Sequence, residues 1–231
     1  MFRAAFIGIA ALVALIAALT ALRSTTEEPQ SLVYGRNNTV LFVTDNHHGL
    51  SNVHVATSFT LLESRPDIEV HYASFPKLES EIRRVSKFGQ ARNPAAKPIQ
   101  WHALPGPNYI DCMLRSMGSY ESVLIPPGAR GIDRLRPLME YAIDPWNPEE
   151  HYALFQAIQQ VILEVDPNVV VTDPLVYAAL EASRSLNRST AIISPNDLGT
   201  LLSHKQPWLS MFWKYPAYVL HWVFDYVAQL S

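Results

Sequence analysis

The stretch DNHHGLSN, residues 45–52, holds the side chains that are best placed to do chemistry in this chain. Two histidines, a glycine and two asparagines follow residues 39–44, a short apolar and β-branched run that is typical of a buried strand. Residues 53–62 then repeat apolar residues at helical spacing. Where a strand leads into a helix, the free N–H groups of the joining loop and the positive end of the helix favour ligand binding. We therefore expect function at residues 45–52.

The wider pattern places this strand in an α/β fold. A fully apolar strand must be covered by helices on both faces, as in a parallel sheet. Further strands are predicted at residues 68–74, 99–103, 169–172 and 190–194. Helices are predicted at residues 53–62, 77–87, 109–120, 134–143, 149–165 and 174–186, and a flexible connection at residues 89–97. This alternation predicts a doubly wound, mostly parallel sheet.

Composition excludes several classes of protein. The chain has 231 residues and a net charge of −3, with no basic stripe, so we expect no nucleic-acid partner. Its one cysteine, Cys112, excludes an internal disulfide and any metal site built from several cysteines. We expect Cys112 to be a small buried apolar residue and we expect no metal centre.

The amino-terminal sequence is typical of a segment that targets a protein to a membrane. Residues 4–22 form an unbroken apolar run, close to the roughly 20 residues that a membrane-spanning helix needs. A cleaved signal peptide is the alternative. In either case we expect the secretory membrane system, with the endoplasmic reticulum as the location. The predicted organisation is a signal segment at residues 1–23, a linker at residues 24–37 and a Rossmann-like domain at residues 38–231.

The carboxyl-terminal segment, residues 196–231, has a different character. It is aromatic and broken by prolines, and three tryptophans lie in it: Trp208, Trp213 and Trp222. Charged and polar residues interrupt it too often for a second membrane span. Two readings remain: helices that cover the sheet, or a wall that binds an apolar ligand.

Three passages carry a likeness to a known family. They are GLSN at residues 49–52, which opens a helix; EVHYAS at residues 69–74, the next strand; and DPNVVVTDPLVYAALEASRSLNRSTAIIS at residues 166–194. Together with residues 39–44 they resemble the amino-terminal half of UDP-sugar-dependent glycosyltransferases with the two-domain GT-B fold, particularly the fungal members. The resemblance covers most of residues 39–194.

The resemblance implies transfer of a sugar from a nucleotide diphosphate to a hydroxyl of a small, usually apolar acceptor. In such enzymes the amino-terminal half binds the acceptor, and a histidine steered by an aspartate acts as base. An imidazole can take the hydroxyl proton during attack, and a carboxylate behind the ring stabilises the imidazolium. Carried over, the aspartate is Asp173. Its structural alternative is a helix N-cap before Pro174.

The histidine departs from the family pattern. Family members usually place it directly after the loop glycine, where this chain has Leu50. His48 is nearest in sequence to that position, and His47 and His54 are the alternatives, although all three can also be ordinary polar residues. The residues that we expect to contact the acceptor are Asn46, Gly49, Asn52, Trp208 and Trp213.

The sequence pattern by which this family binds the sugar donor is not found in residues 1–231. A carboxyl-terminal domain with a His-Cys-Gly or similar segment usually holds the UDP-sugar, and residues 1–231 contain no such segment. We therefore expect the acceptor-binding half of a hexosyltransferase that is inactive alone, with no tightly bound cofactor and with UDP-sugar as co-substrate when a donor domain is present. The alternative is a non-catalytic, membrane-anchored binding protein with an apolar pocket on the same fold.

Overall fold

The computed structural model describes residues 31–124 and 144–195. A five-stranded sheet with the order β3-β2-β1-β4-β5 lies in this part of the chain. Its strands are β1 (Arg36–Val43), β2 (Glu69–Ser74), β3 (Gln100–Ala103), β4 (Pro167–Thr172) and β5 (Thr190–Ile192). All four neighbouring pairs are parallel. The predicted parallel α/β sheet is thus confirmed.

Helices connect the strands in the described ranges. They are α1 (His48–Ser64), α2 (Glu79–Arg92), α3 (Tyr109–Met117), α4 (Pro148–Val165) and α5 (Tyr177–Ser185), with short 3-10 helices at Pro76–Leu78 and Tyr120–Val123. The start of α4 is fixed by a capping box: the Asn147 side chain accepts from the Glu150 N–H, and the Glu150 side chain accepts from the Asn147 N–H. This arrangement satisfies two of the N–H groups that a helix leaves without partners at its first turn.

Helices cover both faces of the sheet. Because side chains alternate along a strand, Val40 and Phe42 of β1 face one side while Leu41 and Val43 face the other. The first side packs with α1 and α2 through Val55, Leu62 and Ile82. The second packs with α3, α4 and α5 through residues that include Cys112, Leu154, Ile158, Ile162 and Ala178. Cys112 is fully buried, as the sequence predicted.

Helix α1 begins earlier than its apolar pattern indicates. The predicted helix covers residues 53–62, whereas α1 covers His48–Ser64, so residues 48–52 belong to the helix and not to a loop. The N–H groups of Leu50 and Ser51 both donate to the carbonyl oxygen of His47. His48, Gly49 and Asn52 are exposed, so no apolar repeat marks this first turn.

The predicted flexible connection at residues 89–97 is wrong in its first part. Helix α2 continues to Arg92, and Gly89 is a buried helical residue. A Cβ atom at Gly89 would lie 2.6 Å from Leu62 Cδ1 and 2.7 Å from Leu62 Cβ. The glycine therefore permits close packing of α2 against α1 and does not break the helix.

Other predicted boundaries also shift. Helix α5 begins at Tyr177 and not at Pro174, because residues 173–176 form a turn. Strand β1 includes Arg36 and Asn37, which the sequence placed in the linker at residues 24–37. Val33 forms a parallel β-bridge with Arg188, so residues of the predicted linker already contact the domain.

Several predictions lie outside the described residues. They are the signal segment at residues 4–22, the helix at residues 134–143 and the aromatic segment at residues 196–231 with Trp208 and Trp213. Of the helices within residues 31–124 and 144–195, none is both long and apolar enough to span a bilayer.

Candidate functional site

The candidate site lies at the carboxyl ends of β1 and β4, in the middle of the sheet. Strand β1 pairs with β2 on one side and with β4 on the other, so the chain leaves the sheet at β3 and returns at β4. From β1 the strand order continues outward through β2 to β3, and from β4 it continues in the opposite direction to β5. Ligands of open α/β sheets bind in the crevice that such a reversal creates.

Asp173 follows β4 at this edge and is fully buried. Its Oδ1 accepts from the Leu175 N–H (2.7 Å), and its Oδ2 accepts from the Asp45 N–H (3.4 Å). Burial and, to a lesser extent, the Asp45 charge raise the pKa of Asp173 to about 6, although hydrogen bonds from backbone N–H groups offset part of the rise. Asp173 therefore joins the loop after β4 to the loop after β1.

Asp45, which follows β1, is a second buried carboxylate that the sequence reasoning did not single out. Its Oδ1 accepts from the His47 N–H (2.8 Å) and its Oδ2 from the Tyr109 N–H (2.9 Å). Burial raises the pKa of Asp45, against the effect of these two N–H donors and of His47. The signal was available, because Asp45, like Asp173, directly follows a buried strand at the ligand-binding edge.

Hydroxyl groups of neighbouring strands hold Thr44, the residue between β1 and Asp45. The Thr44 hydroxyl donates to the Tyr72 hydroxyl (3.1 Å), and the Ser74 hydroxyl donates to the Thr44 carbonyl oxygen (2.7 Å). All three side chains are buried. The loop that leads to the histidines is therefore fixed from β2 as well as from β4.

His47 and His48 are exposed at the start of α1. The imidazole of His47 lies against the backbone of Gly49, since a Cβ there would be 3.2 Å from His47 Cε1. His48 Nδ1 is 3.7 Å from Glu81 Oε2 on α2, and the His48 side chain is 75% exposed. The nearest carboxylate to His48 that the structure records is thus Glu81.

His54 has a different environment from the other two histidines. It is fully buried on α1 with its ring edge-on to Phe42, at a centroid distance of 6.3 Å. Burial lowers the pKa of His54 to about 4, an effect that the Ile193 backbone partly offsets. His54 is therefore a neutral core residue near pH 7.

A cleft of about 240 Å³ opens beside the two exposed histidines. It is lined by Asn46, His47, His48, Lys77, Leu78, Asn108, Ile110 and Asp111. One wall is the loop after β1 with the start of α1, and the opposite wall is the start of α3. Lys77 Nζ and Asp111 Oδ2 are 3.1 Å apart in an ion pair between exposed side chains. Polar groups and two apolar side chains together form a surface that fits a small hydroxylated ligand.

The structure brings together only part of the predicted site. Asn46 and His48 line the cleft, while Gly49 and Asn52 lie in the exposed first turns of α1. Asp173 reaches the same loop through the Asp45 N–H, but in the described residues its recorded hydrogen-bond partners are backbone N–H groups and not a histidine. The predicted His48–Asp173 pair is therefore not a direct contact. The alternative role of Asp173 as N-cap of a helix at Pro174 does not match the later start of α5.

No cluster of three or more histidine, cysteine or acidic side chains suited to a metal ion occurs in residues 31–124 and 144–195. The chemistry available at the cleft is that of imidazole, carboxylate, ammonium and amide groups.

Comparison with known proteins supports the resemblance. No family model matches the chain. The glycosyltransferase sdnJ of Sordaria araneosa is 29% identical over 192 residues, which are 80% of this chain and 37% of that protein. The chain thus spans little more than a third of the length of that relative. The resemblance to glycosyltransferases is confirmed by this similarity.

Solved structures give a more distant likeness. The glycosyltransferase of kitacinnamycin matches with a TM-score of 0.42 and 14% identity, covering 79% of this chain and 37% of its own. SnogD from Streptomyces nogalater, also a glycosyltransferase, matches with a TM-score of 0.39 and 15% identity, covering 72% and 35%.

Proposed function

We propose that this chain is the acceptor-binding half of a UDP-sugar-dependent glycosyltransferase that transfers a hexose to a hydroxyl of a small apolar acceptor. The observation that carries the proposal is the histidine-lined cleft formed by the segments after β1, β2 and β3, in a chain similar to a glycosyltransferase over 80% of its length. In the proposed step an acceptor oxygen attacks the anomeric carbon, the bond from that carbon to the diphosphate breaks, and UDP leaves. A base takes the hydroxyl proton.

His48 is our candidate for this base. Its exposed imidazole lines the cleft, where an acceptor hydroxyl has access to it. Glu81, 3.7 Å from His48 Nδ1, is the carboxylate placed to stabilise the imidazolium. Asp173 then acts by holding the loop after β1, since its carboxylate accepts from the Asp45 N–H. His47 is the second candidate, because it lines the same cleft. His54 is the weakest, because it is fully buried.

The donor nucleotide is expected to bind mainly to residues beyond the matched part of the relative. The test is therefore a chimera in which the 231-residue chain replaces the matched part of the Sordaria araneosa glycosyltransferase. Activity is measured as UDP release and as a glycoside of a sterol or phenol detected by mass spectrometry. We expect turnover by the chimera and none by the 231-residue chain alone. A folded chimera that binds UDP-glucose but glycosylates no hydroxylated acceptor contradicts the proposal.

Single variants of the active chimera identify the base. His48→Ala should lower kcat at least about 100-fold, the usual contribution of general base catalysis. Glu81→Gln should cause a smaller loss, because the carboxylate that favours the imidazolium is removed. His54→Ala is the control variant, because it removes an imidazole that is buried and does not line the cleft. If the rates of His47→Ala, His48→Ala and Asp173→Asn all equal the starting rate, the proposed catalytic residues are wrong.

A further inference from the structure

Asp45 joins two segments that lie 64 residues apart in the chain. One of its carboxylate oxygens accepts from the His47 N–H, at the start of α1, and the other accepts from the Tyr109 N–H, at the start of α3. The side chain is fully buried. Hydrogen bonds to an ionised acceptor are roughly twice as strong as neutral ones, and burial shields them from water.

These two segments are the opposite walls of the cleft. Asn46, His47 and His48 form the first wall, while Asn108, Ile110 and Asp111 form the second. Asp45 is bonded to the first wall at the His47 N–H and to the second segment at the Tyr109 N–H. Loss of the bond to Tyr109 therefore removes a direct link between the two walls.

An ion pair also holds the start of α3, from the segment after β2. Lys77 and Asp111 form this pair, and their side chains are 70% and 48% exposed. Exposed pairs of this kind contribute from nothing to about 1 kcal/mol, because water and salt screen them. The buried hydrogen bonds of Asp45 are better shielded from water than this ion pair.

An ionised carboxylate suits this position because it offers acceptors to both N–H groups. An asparagine would direct its own NH₂ group at one of the two donors. The titratable groups that face Asp45 are Asp173 after β4, His47 in its own loop, and Tyr109 and Cys112 on α3.

We propose that Asp45 is a positioning residue of the acceptor cleft, which sets the distance between His47 and His48 on one wall and the start of α3 on the other. This inference rests on the proposed function, because it takes the cleft to be the site that binds the acceptor. Asp45 does not touch the acceptor. It acts through the backbone at His47 and at Tyr109.

Amide NMR of the full chain tests the link without any ligand. If one carboxylate holds both N–H groups, the amide resonances of His47 and Tyr109 shift with pH at a common midpoint above the ordinary aspartate value. In Asp45→Asn both shifts disappear, whereas in Asp67→Asn, an exposed aspartate paired with Arg65, both remain. Different midpoints for the two amides, or a common shift that survives in Asp45→Asn, overturn the inference.

Binding of a fluorescent phenol, methylumbelliferone, tests the consequence. We expect Asp45→Asn to bind it about tenfold more weakly, equivalent to about 1.4 kcal/mol, and Asp67→Asn to bind it like the wild type. Equal affinity of Asp45→Asn and wild type at every pH overturns the positioning role. Co-titration of the two amides in a wild type that binds no phenol overturns the proposed function but leaves the link in place.

Discussion

Two buried aspartates and two exposed histidines define this site at the scale of single residues. Burial disfavours the charged form of a carboxylate, and the backbone N–H groups that surround Asp45 and Asp173 only partly compensate. The difference between the pKa of about 6 for Asp173 and its ordinary 3.8 corresponds to about 3 kcal/mol. Such a cost is typical of functional sites, where geometry matters more than stability.

This cost predicts a pH dependence of stability. Because the pKa of Asp173 is raised in the folded state, the folded protein binds more protons than the unfolded one between about pH 4 and about pH 6. The stability that Asp173 contributes is therefore present below this range and is lost as the pH rises through it. Urea unfolding of the wild type should show a fall of on the order of 3 kcal/mol from this group.

The Asp173→Asn variant should remove most of that fall, since an amide does not ionise, while Asp67→Asn should keep it. A wild type whose free energy of unfolding rises relative to Asp173→Asn over the same range would show that the Asp173 carboxylate is stabilised, and not penalised, by its surroundings.

The sequence predicted which segments meet but not which groups contact each other. Asp173 and residues 45–52 do meet at one edge of the sheet, as expected for the ends of adjacent parallel strands. The partners of each carboxylate are backbone N–H groups, and residue types do not reveal where those groups point. For this reason the Asp45–Tyr109 contact was missed and a His48–Asp173 contact was expected.

At the scale of elements, the packing of α1 against α2 depends on Gly89. Glycine usually weakens a helix by about 1 kcal/mol relative to alanine, so Gly89→Ala would stabilise an isolated α2. In the folded chain the added methyl meets Leu62. We expect Gly89→Ala to lower the free energy of unfolding by about 1–3 kcal/mol, the usual cost of overpacking.

A double-mutant cycle separates this contact from helix propensity. In the Leu62→Ala background the methyl has space, so Gly89→Ala should become neutral or stabilising there. Lys87→Ala, at an exposed position of α2, is the control and should change stability little. An equal loss from Gly89→Ala in both backgrounds would rule out contact with Leu62 as the cause.

Strands and helices could be predicted from the sequence where the spacing of apolar residues is characteristic of them. All five strands of the described sheet were predicted. The central strands β1 and β4 carry the clearest signal, because strands of a parallel sheet that are buried on both faces are largely apolar. The first turn of α1 lies outside the predicted helix at residues 53–62, because Leu50 is its only apolar residue. Helix α2 was cut short because a glycine signals a break in sequence, whereas here it permits contact between two helices.

At the scale of the whole molecule, the fold supplies the site through its strand order. The reversal between β1 and β4 places the loops after these two strands together at one edge. The segments after β2 and β3 line the cleft with the loop after β1, through residues that include Lys77 and Asn108. The four loops come from distant parts of the chain. The site therefore exists only when the sheet is formed.

The membrane targeting and the role of the aromatic segment stay predictions. The alternative of a non-catalytic binding protein shares the cleft but not the reaction. Turnover in the chimera separates the two.

The measurement that tests the central claim most directly is isothermal titration of the 231-residue chain with a phenolic acceptor and, separately, with UDP-glucose. We predict saturable binding of the phenol and weak or absent binding of UDP-glucose. In NMR spectra of the same chain, addition of the phenol should shift the amide resonances of His47 and Tyr109, whose N–H groups donate to Asp45. Tight binding of UDP-glucose with no binding of the phenol would contradict the account, because the cleft would then be a donor site.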